Sequence, residues 1–132
     1  MASILRVNTL TDASSNNSTA MSTINQGTAK AWVFATAAAA VTDSFNISAG
    51  TDNGTGDYTY PITNDMANAT YTISATATQE LANDPVICAN PTNDNSLAAG
   101  TFRVELGYGN IAGSNLLQID KKHYVVIHGD LA

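Results

Sequence analysis

The two histidines are the side chains of this sequence best suited to bind a metal ion. His123 and His128 stand five positions apart, and side chains alternate between the two faces of a strand, so these two face opposite sides of any strand that holds both. One chain therefore cannot bring both to a single ion. Three copies of either histidine could still meet on a threefold axis. Within one chain we expect neither a metal nor a cofactor.

The carboxylates show no spacing typical of hydrolysis. Glycoside hydrolysis needs two carboxylates about 5 to 10 Å apart across a cleft. Three of the candidates, Glu80, Asp84 and Asp94, lie in a long Asn- and Pro-containing stretch. The fourth, Glu105, falls on the outward side of a predicted strand. The sequence also contains no Gly-x-Ser-x-Gly motif and no phosphate-binding glycine loop, so we expect a protein that is not an enzyme.

Asp52, Asn53 and Asp57 superficially resemble the ligands of a calcium loop. The spacing does not match an EF-hand, and a glutamate at the twelfth position is missing. The Asn53-Gly54 step readily takes a positive φ, which is typical of the turn in a β-hairpin. The sequence therefore predicts a hairpin turn here.

Composition excludes several classes of partner. The net charge is −6 with five basic residues, too few for the basic surface that nucleic acids or anionic membranes require. The longest weakly polar run, residues 31–41, is far shorter than the roughly 20 residues of a membrane-spanning helix. Cys88 is the only cysteine, which excludes an intrachain disulfide. No basic region followed by an apolar stretch marks a secretory signal at the N-terminus.

Period-two alternation over residues 29–132 predicts the elements that position these side chains. We expect an antiparallel β-sandwich of six or seven strands, jelly-roll or immunoglobulin-like. The residues predicted to face inward are Phe45, Ile47, Tyr58, Tyr60, Ile62, Tyr71, Ile73, Ala75, Ala77, Phe102, Val104 and Leu106.

Four stretches of this domain need separate interpretation. Residues 30–34 are predicted as a strand, and for residues 35–40 strand and helix both stay open. Pro61 ends its strand or places it at a sheet edge. Residues 79–99 are interpreted as a long loop excursion. Residues 123–128 are apolar on both faces, which favours a central strand or one whose outer face meets another subunit.

Residues 1–28 follow a different pattern. Four apolar residues, Ile4, Leu5, Val7 and Leu10, are followed by small polar residues at 11–19 without periodicity. Such a segment buries too little surface to fold alone. We expect an extended N-terminal arm that becomes ordered only against a partner.

Several blocks of the sequence resemble the tail-fibre-like virion proteins of tailed, especially marine, bacteriophages. They are, in order, SILRVNTLTD at 3–12, QGTAKAWV at 26–33, DSFNIS at 43–48, DNGTGDYT at 52–59 and YVVIHGDL at 124–131. That family usually continues after the Trp-Val pair with an Asn-Phe-Asn-Gly-like turn, where this chain has Phe34 and an alanine run. The resemblance implies a virion structural protein, assembled in the host cytoplasm, with no catalytic residues.

The leading hypothesis is therefore a short fibre-like module, a homotrimer whose arm contacts other virion proteins through Ile4, Leu5, Val7 and Leu10. The trimer interface is predicted to contain Phe102, Val104, Leu106, Tyr124 and Val126. Hydroxyls and amides suit a host surface glycan or protein. The predicted host-contact residues are Asp52, Asn53, Thr55, Asn90, Asn93, Asp94 and Asn95. A capsid decoration or cement protein is the alternative, and a bacterial surface adhesin module is a further one.

Overall fold

Two antiparallel β-sheets pack face to face, preceded by a small hairpin and a short helix. The computed structural model describes residues 6–15, 17–78, 87–91, 97–109 and 116–132, with the backbone alone at 87–91, 109 and 116. The elements are β1 (Thr9–Thr11), β2 (Ser18–Ala20), α1 (Met21–Gly27), β3 (Ala31–Ala35), β4 (Val41–Phe45), β5 (Thr51–Gly54), β6 (Asp57–Pro61), β7 (Thr72–Ala77), β8 (Ile87–Pro91), β9 (Leu97–Ala98), β10 (Thr101–Gly109), β11 (Leu116–Gln118) and β12 (His123–His128). The predicted class, an all-β antiparallel sandwich, is confirmed.

Strand β12 lies inside the smaller sheet, whose order is β4-β3-β12-β7. It pairs with β3 on one side, where Tyr124 stands opposite Phe34 and Val125 opposite Val33, and with β7 on the other. A strand with two neighbours and apolar side chains on both faces matches the central position predicted for residues 123–128.

Strand β10 organises the larger, six-stranded sheet. Phe102 pairs with Tyr60 of β6 and with Leu97 of β9, so β6 and β9 lie along opposite edges of β10. Further along β10, β11 continues the edge of β6 and β8 continues the edge of β9. Strand β5 pairs with the free edge of β6. Strand β6 ends at Pro61, as expected for a residue that cannot donate to a ladder.

The core fills the space between the two sheets. It combines alternate residues of β3 and β12 with alternate residues of β6 and β10, and the largest fully buried side chains are Tyr58, Tyr60, Phe102, Met66, Leu106, Ile127, His123, Val33 and Val104. The inward positions predicted for residues 58, 60, 62, 71, 102, 104 and 106 are therefore confirmed.

The trimer interface predicted at Phe102, Val104 and Leu106 is wrong. All three side chains are buried in the core of their own chain. They cover the side chains of the opposite sheet, so they are not accessible to a second subunit. Tyr124 and Val126, predicted for the same interface, lie on the outer face of the smaller sheet instead.

The inward position predicted for Phe45 is also wrong. Ile47 is buried as expected, but Phe45 is 52% exposed. Asn46 between them has a φ of 59°, and this left-handed residue interrupts the alternation. Its side chain holds the bend, since Nδ2 donates to the carbonyl oxygens of Lys30 and Asn64, each at 3.0 Å.

Residues 36–40 form a turn between β3 and β4 and not a helix. The Thr36 Oγ1 accepts hydrogen bonds from the backbone N–H groups of Ala38 and Ala40 at 3.3 and 3.2 Å. The Thr36 N–H also donates to the Ala40 carbonyl at 2.9 Å. These bonds close a short loop, which outweighs the helix propensity of the alanines.

The N-terminal segment is more ordered than the extended arm we expected. Asp12 organises a turn between β1 and β2, with Oδ1 accepting from the Ser14 N–H at 3.1 Å and Oδ2 from the Asn17 amide at 2.8 Å. The polar residues that we interpreted as part of an extended arm therefore form a turn. Within the described ranges, no helix has the length and apolar character needed to cross a membrane.

The interpretation of residues 79–99 as a loop excursion is corrected in part. The described portions, residues 87–91 and 97–98, are β8 and β9, and both pair with β10. These residues form strands because they pair with the central strand β10, although Asn and Pro residues favour loops.

A pair of phenylalanine variants tests the position of the core. We expect Phe102→Ala to lower the free energy of unfolding by about 3 to 5 kcal/mol, because it leaves a cavity between the sheets. Phe45→Ala removes the same side chain from an exposed position and should change stability by less than about 1 kcal/mol. Urea denaturation measures both. Equal effects would contradict the assigned core.

Candidate functional site

The predicted contact residues Asp52, Asn53 and Thr55 lie in the exposed hairpin that joins β5 to β6. The hairpin is the one that the Asn53-Gly54 step predicts, with Gly54 at a φ of 137°. Polar groups of this hairpin are already engaged. The Asp52 carboxylate accepts from the Gly54 N–H at 2.9 Å, and the Asn53 amide donates to Thr59 Oγ1 at 2.8 Å.

An ion pair lies beside this hairpin on the outer side of the larger sheet. Arg103 Nε donates to Asp57 Oδ1 at 2.6 Å, and a second guanidinium nitrogen reaches Oδ2. The hydrogen bonds from Arg103 lower the pKa of the Asp57 carboxyl despite its partial burial. Thr59 and Glu105 flank the pair on the same strands, so this outer face is polar.

The other predicted contact residues are less fully described. Asn90 lies in β8, where its backbone pairs with Glu105. The residues Asn93, Asp94 and Asn95 lie outside the described residues, as do the anchoring residues Ile4 and Leu5. The remaining anchoring residues, Val7 and Leu10, are 37% and 46% exposed.

His123 belongs to the core and is not free to bind a metal on a threefold axis. Its Nδ1 lies 2.8 Å from the Lys121 carbonyl, which only accepts, so Nδ1 carries the proton and Nε2 accepts from the Tyr60 hydroxyl at 2.6 Å. Tyr58 stacks on the ring with centroids 4.5 Å apart. The arrangement of three His123 copies considered from the sequence is therefore wrong, because the side chain is enclosed between the sheets.

Burial shifts the pKa values of His123 and Tyr60 in the core. Burial lowers the pKa of His123, and the hydrogen bond to the Lys121 carbonyl only partly offsets this. Burial also raises the pKa of Tyr60, so its hydroxyl stays protonated and donates to His123. The described residues contain no group of three or more His, Cys, Asp or Glu side chains placed to hold a metal ion.

The outer face of the smaller sheet is aromatic, in contrast to the polar outer face of the larger sheet. Trp32 and Tyr124 are 37% and 46% exposed. The register places Trp32 between Phe45 of β4 and Val126 of β12, and Phe34 beside Tyr124. The Phe34 and Tyr124 rings stack with centroids 4.5 Å apart and planes 6° apart, so each ring restricts the other.

These side chains enclose a groove of about 470 Å³ that runs across the strands; we call it the aromatic groove. Trp32 and Val126 form one wall, and the stacked pair of Phe34 and Tyr124 forms the other. The floor is the backbone at Val33 and Val125, whose side chains point into the core. The remaining lining residues are Asp43, Ser74 and Thr76.

Polar groups mark the two ends of the aromatic groove. Asp43 lies at the β4 end, and Ser74 and Thr76 lie at the β7 end, three strands away. Asp43 Oδ1 accepts from the Ser44 N–H at 2.9 Å. Within the described part of the chain, Asp43 Oδ2 and the hydroxyls of Ser74 and Thr76 make no hydrogen bond.

Concave apolar surfaces with a few polar groups are typical of small-molecule binding sites, and 470 Å³ lies in their usual range. The aromatic groove is therefore the candidate functional site. Comparisons of the chain with protein-family models, with curated proteins and with solved structures found no match.

The sequence signal for this site is the alternation of side chains in β3. Residues 31–35 alternate as Ala-Trp-Val-Phe-Ala, so Trp32 and Phe34 share the face opposite Val33. The apolar outer face predicted for residues 123–128 includes Tyr124 and Val126, and the structure adds Trp32 and Phe34 to it. The pairing of the two strands is a long-range property that no local pattern supplies.

The buried His123 predicts a pH dependence of stability. Its pKa is lowered in the folded chain, so the unfolded chain binds more protons once the pH falls below the ordinary value of 6.5. The free energy of unfolding should be highest above that pH and decline as the pH falls below it. Urea denaturation at a series of pH values measures this.

The two histidines provide matched variants for this measurement. His123→Gln removes the titrating ring and should flatten the decline, whereas His128→Gln keeps His123 and should preserve it. A decline of the same slope in His123→Gln would show that another group causes it.

Proposed function

We propose that this chain is a non-enzymatic structural module of a tailed-bacteriophage virion that contacts the host surface. The observation that supports a binding role is the aromatic groove on a regular sheet. The resemblance of the ordered blocks to tail-fibre-like proteins supports the assignment to a virion. The predicted contact residues in the β5–β6 hairpin stay part of this proposal, although polar groups of Asp52 and Asn53 are engaged within the hairpin.

The contrast between the two outer faces supports this proposal. The outer face of the larger sheet carries polar side chains and an ion pair in which the Arg103 side chain is exposed and the Asp57 side chain is largely buried. The smaller sheet exposes Trp32 and Tyr124, which both line the aromatic groove. Contiguous exposed aromatic surface is typical of a surface that binds another molecule.

We assign the contacts with the particle and between copies to the N-terminal segment. Its two strands have three residues each and its helix has seven, which is too short for independent stability. Val7 and Leu10 are exposed on it. A homotrimer joined here would bury these residues and leave the aromatic groove open. Tyr124 and Val126, which line that groove, would then lie outside the trimer interface.

A capsid decoration protein is the second candidate, because the same exposed apolar segment would equally join neighbouring capsid subunits. Copy number separates the two locations. We expect purified particles to contain fewer copies than the major capsid protein, in a multiple of three, when measured by quantitative mass spectrometry. A copy number close to that of the capsid protein would place the chain on the head, and absence from the particle would refute both candidates.

Leu10→Asp tests the contact between copies. An aspartate there places a charge in the proposed apolar interface, so the variant should sediment as a monomer while the wild type sediments as a trimer. Thr9→Asp introduces the same charge on the same strand without removing an apolar side chain, and should weaken the trimer far less. Analytical ultracentrifugation measures both, and a monomeric wild type would rule out the proposed trimer.

A further inference from the structure

We propose that the aromatic groove binds a short saccharide across the strands of the smaller sheet. This inference rests on the proposed binding role and specifies its ligand. In this arrangement Trp32 and the stacked pair of Phe34 and Tyr124 pack against the C–H faces of the sugar. The groups at the two ends bind its hydroxyls.

The two walls stand on successive outward positions of β3 and β12. Trp32 and Phe34 are two residues apart on one strand, which separates their Cα atoms by about 7 Å. The stacked contact between Phe34 and Tyr124 holds that wall in place, so little side-chain freedom is lost when a ligand binds.

The ends of the groove match sugar hydroxyls. Asp43 Oδ2 accepts hydrogen bonds, and the hydroxyls of Ser74 and Thr76 both donate and accept. Three strand spacings separate these ends, or about 14 Å. This distance exceeds the width of one sugar ring, so we expect oligosaccharides to bind more tightly than monosaccharides.

Other occupants fit the groove less well. A purely apolar ligand would bury the Asp43 carboxylate and the two hydroxyls without partners, which is costly. An acidic ligand would meet Asp43 in a chain whose net charge is −6. A neutral saccharide combines apolar C–H faces with many hydroxyls and avoids both penalties.

The test is a binding measurement with the full-length chain. The probes are the trisaccharides of glucose, galactose, mannose and N-acetylglucosamine, together with an array of bacterial surface polysaccharides and their fragments. Trp32 is the only tryptophan, so its fluorescence reports occupancy of the groove directly. We expect at least one probe to bind, to change this fluorescence, and to bind more weakly as its monosaccharide.

Variants on the outer face locate the site by calorimetry. We expect Trp32→Ala and Tyr124→Ala each to weaken binding by about tenfold or more, because each removes a wall. Asp43→Asn keeps the shape and should weaken binding to a smaller extent. Phe45→Ala is the matched control, since Phe45 is exposed opposite Trp32 but does not line the groove. It should bind as the wild type does.

Three outcomes would overturn the proposal. Absence of binding across the array would do so, and so would binding that Trp32→Ala and Tyr124→Ala leave unchanged. Self-association that Trp32→Ala abolishes would make a second copy the occupant. If the chain is present in virions but does not bind saccharide, only the assignment of the groove is refuted. Saccharide binding by a chain absent from virions would instead refute the virion role.

Discussion

The pairing register of β3 with β12 is the constraint on which the rest of the structure depends. It places Val33 opposite Val125 on the inner face, and Phe34 opposite Tyr124 on the outer face. A shift of one residue would exchange the two faces of a strand. The core and the aromatic groove therefore both depend on this one register. Because Val33 and Val125 are buried, Phe34 and Tyr124 remain on the outer face.

Polar contacts between the sheets add specificity to this packing. The bond from the Tyr60 hydroxyl to His123 Nε2 links β6 to β12 inside the core. The Tyr58 hydroxyl lies 2.9 Å from the Ala37 carbonyl and 3.0 Å from Asp120 Oδ1. A chain rich in alanine has few large apolar side chains, and its buried tyrosines fill volume while their hydroxyls find partners at the edge of the core.

Local patterns predicted much of the fold, because alternation reports directly which face of a strand is buried. Tyr58, Tyr60, Phe102 and Val104 follow that rule. It failed at Phe45, where a single left-handed Asn46 reverses the following side chain. The aromatic groove was not predicted, since the meeting of Trp32 and Tyr124 depends on the pairing of strands distant in sequence. The trimer prediction for Phe102 failed for a related reason, because this side chain is buried in the core of its own chain.

The outward position of Trp32 is the central claim, and fluorescence of this single tryptophan tests it most directly. With β3 and β12 in the register described, the indole of the ligand-free protein is partly exposed. Its emission should lie between those of buried and fully exposed tryptophan, and acrylamide should quench it readily. A blue-shifted emission that acrylamide barely quenches would contradict the register, because it would place Trp32 in a closed interior with no open groove beside it.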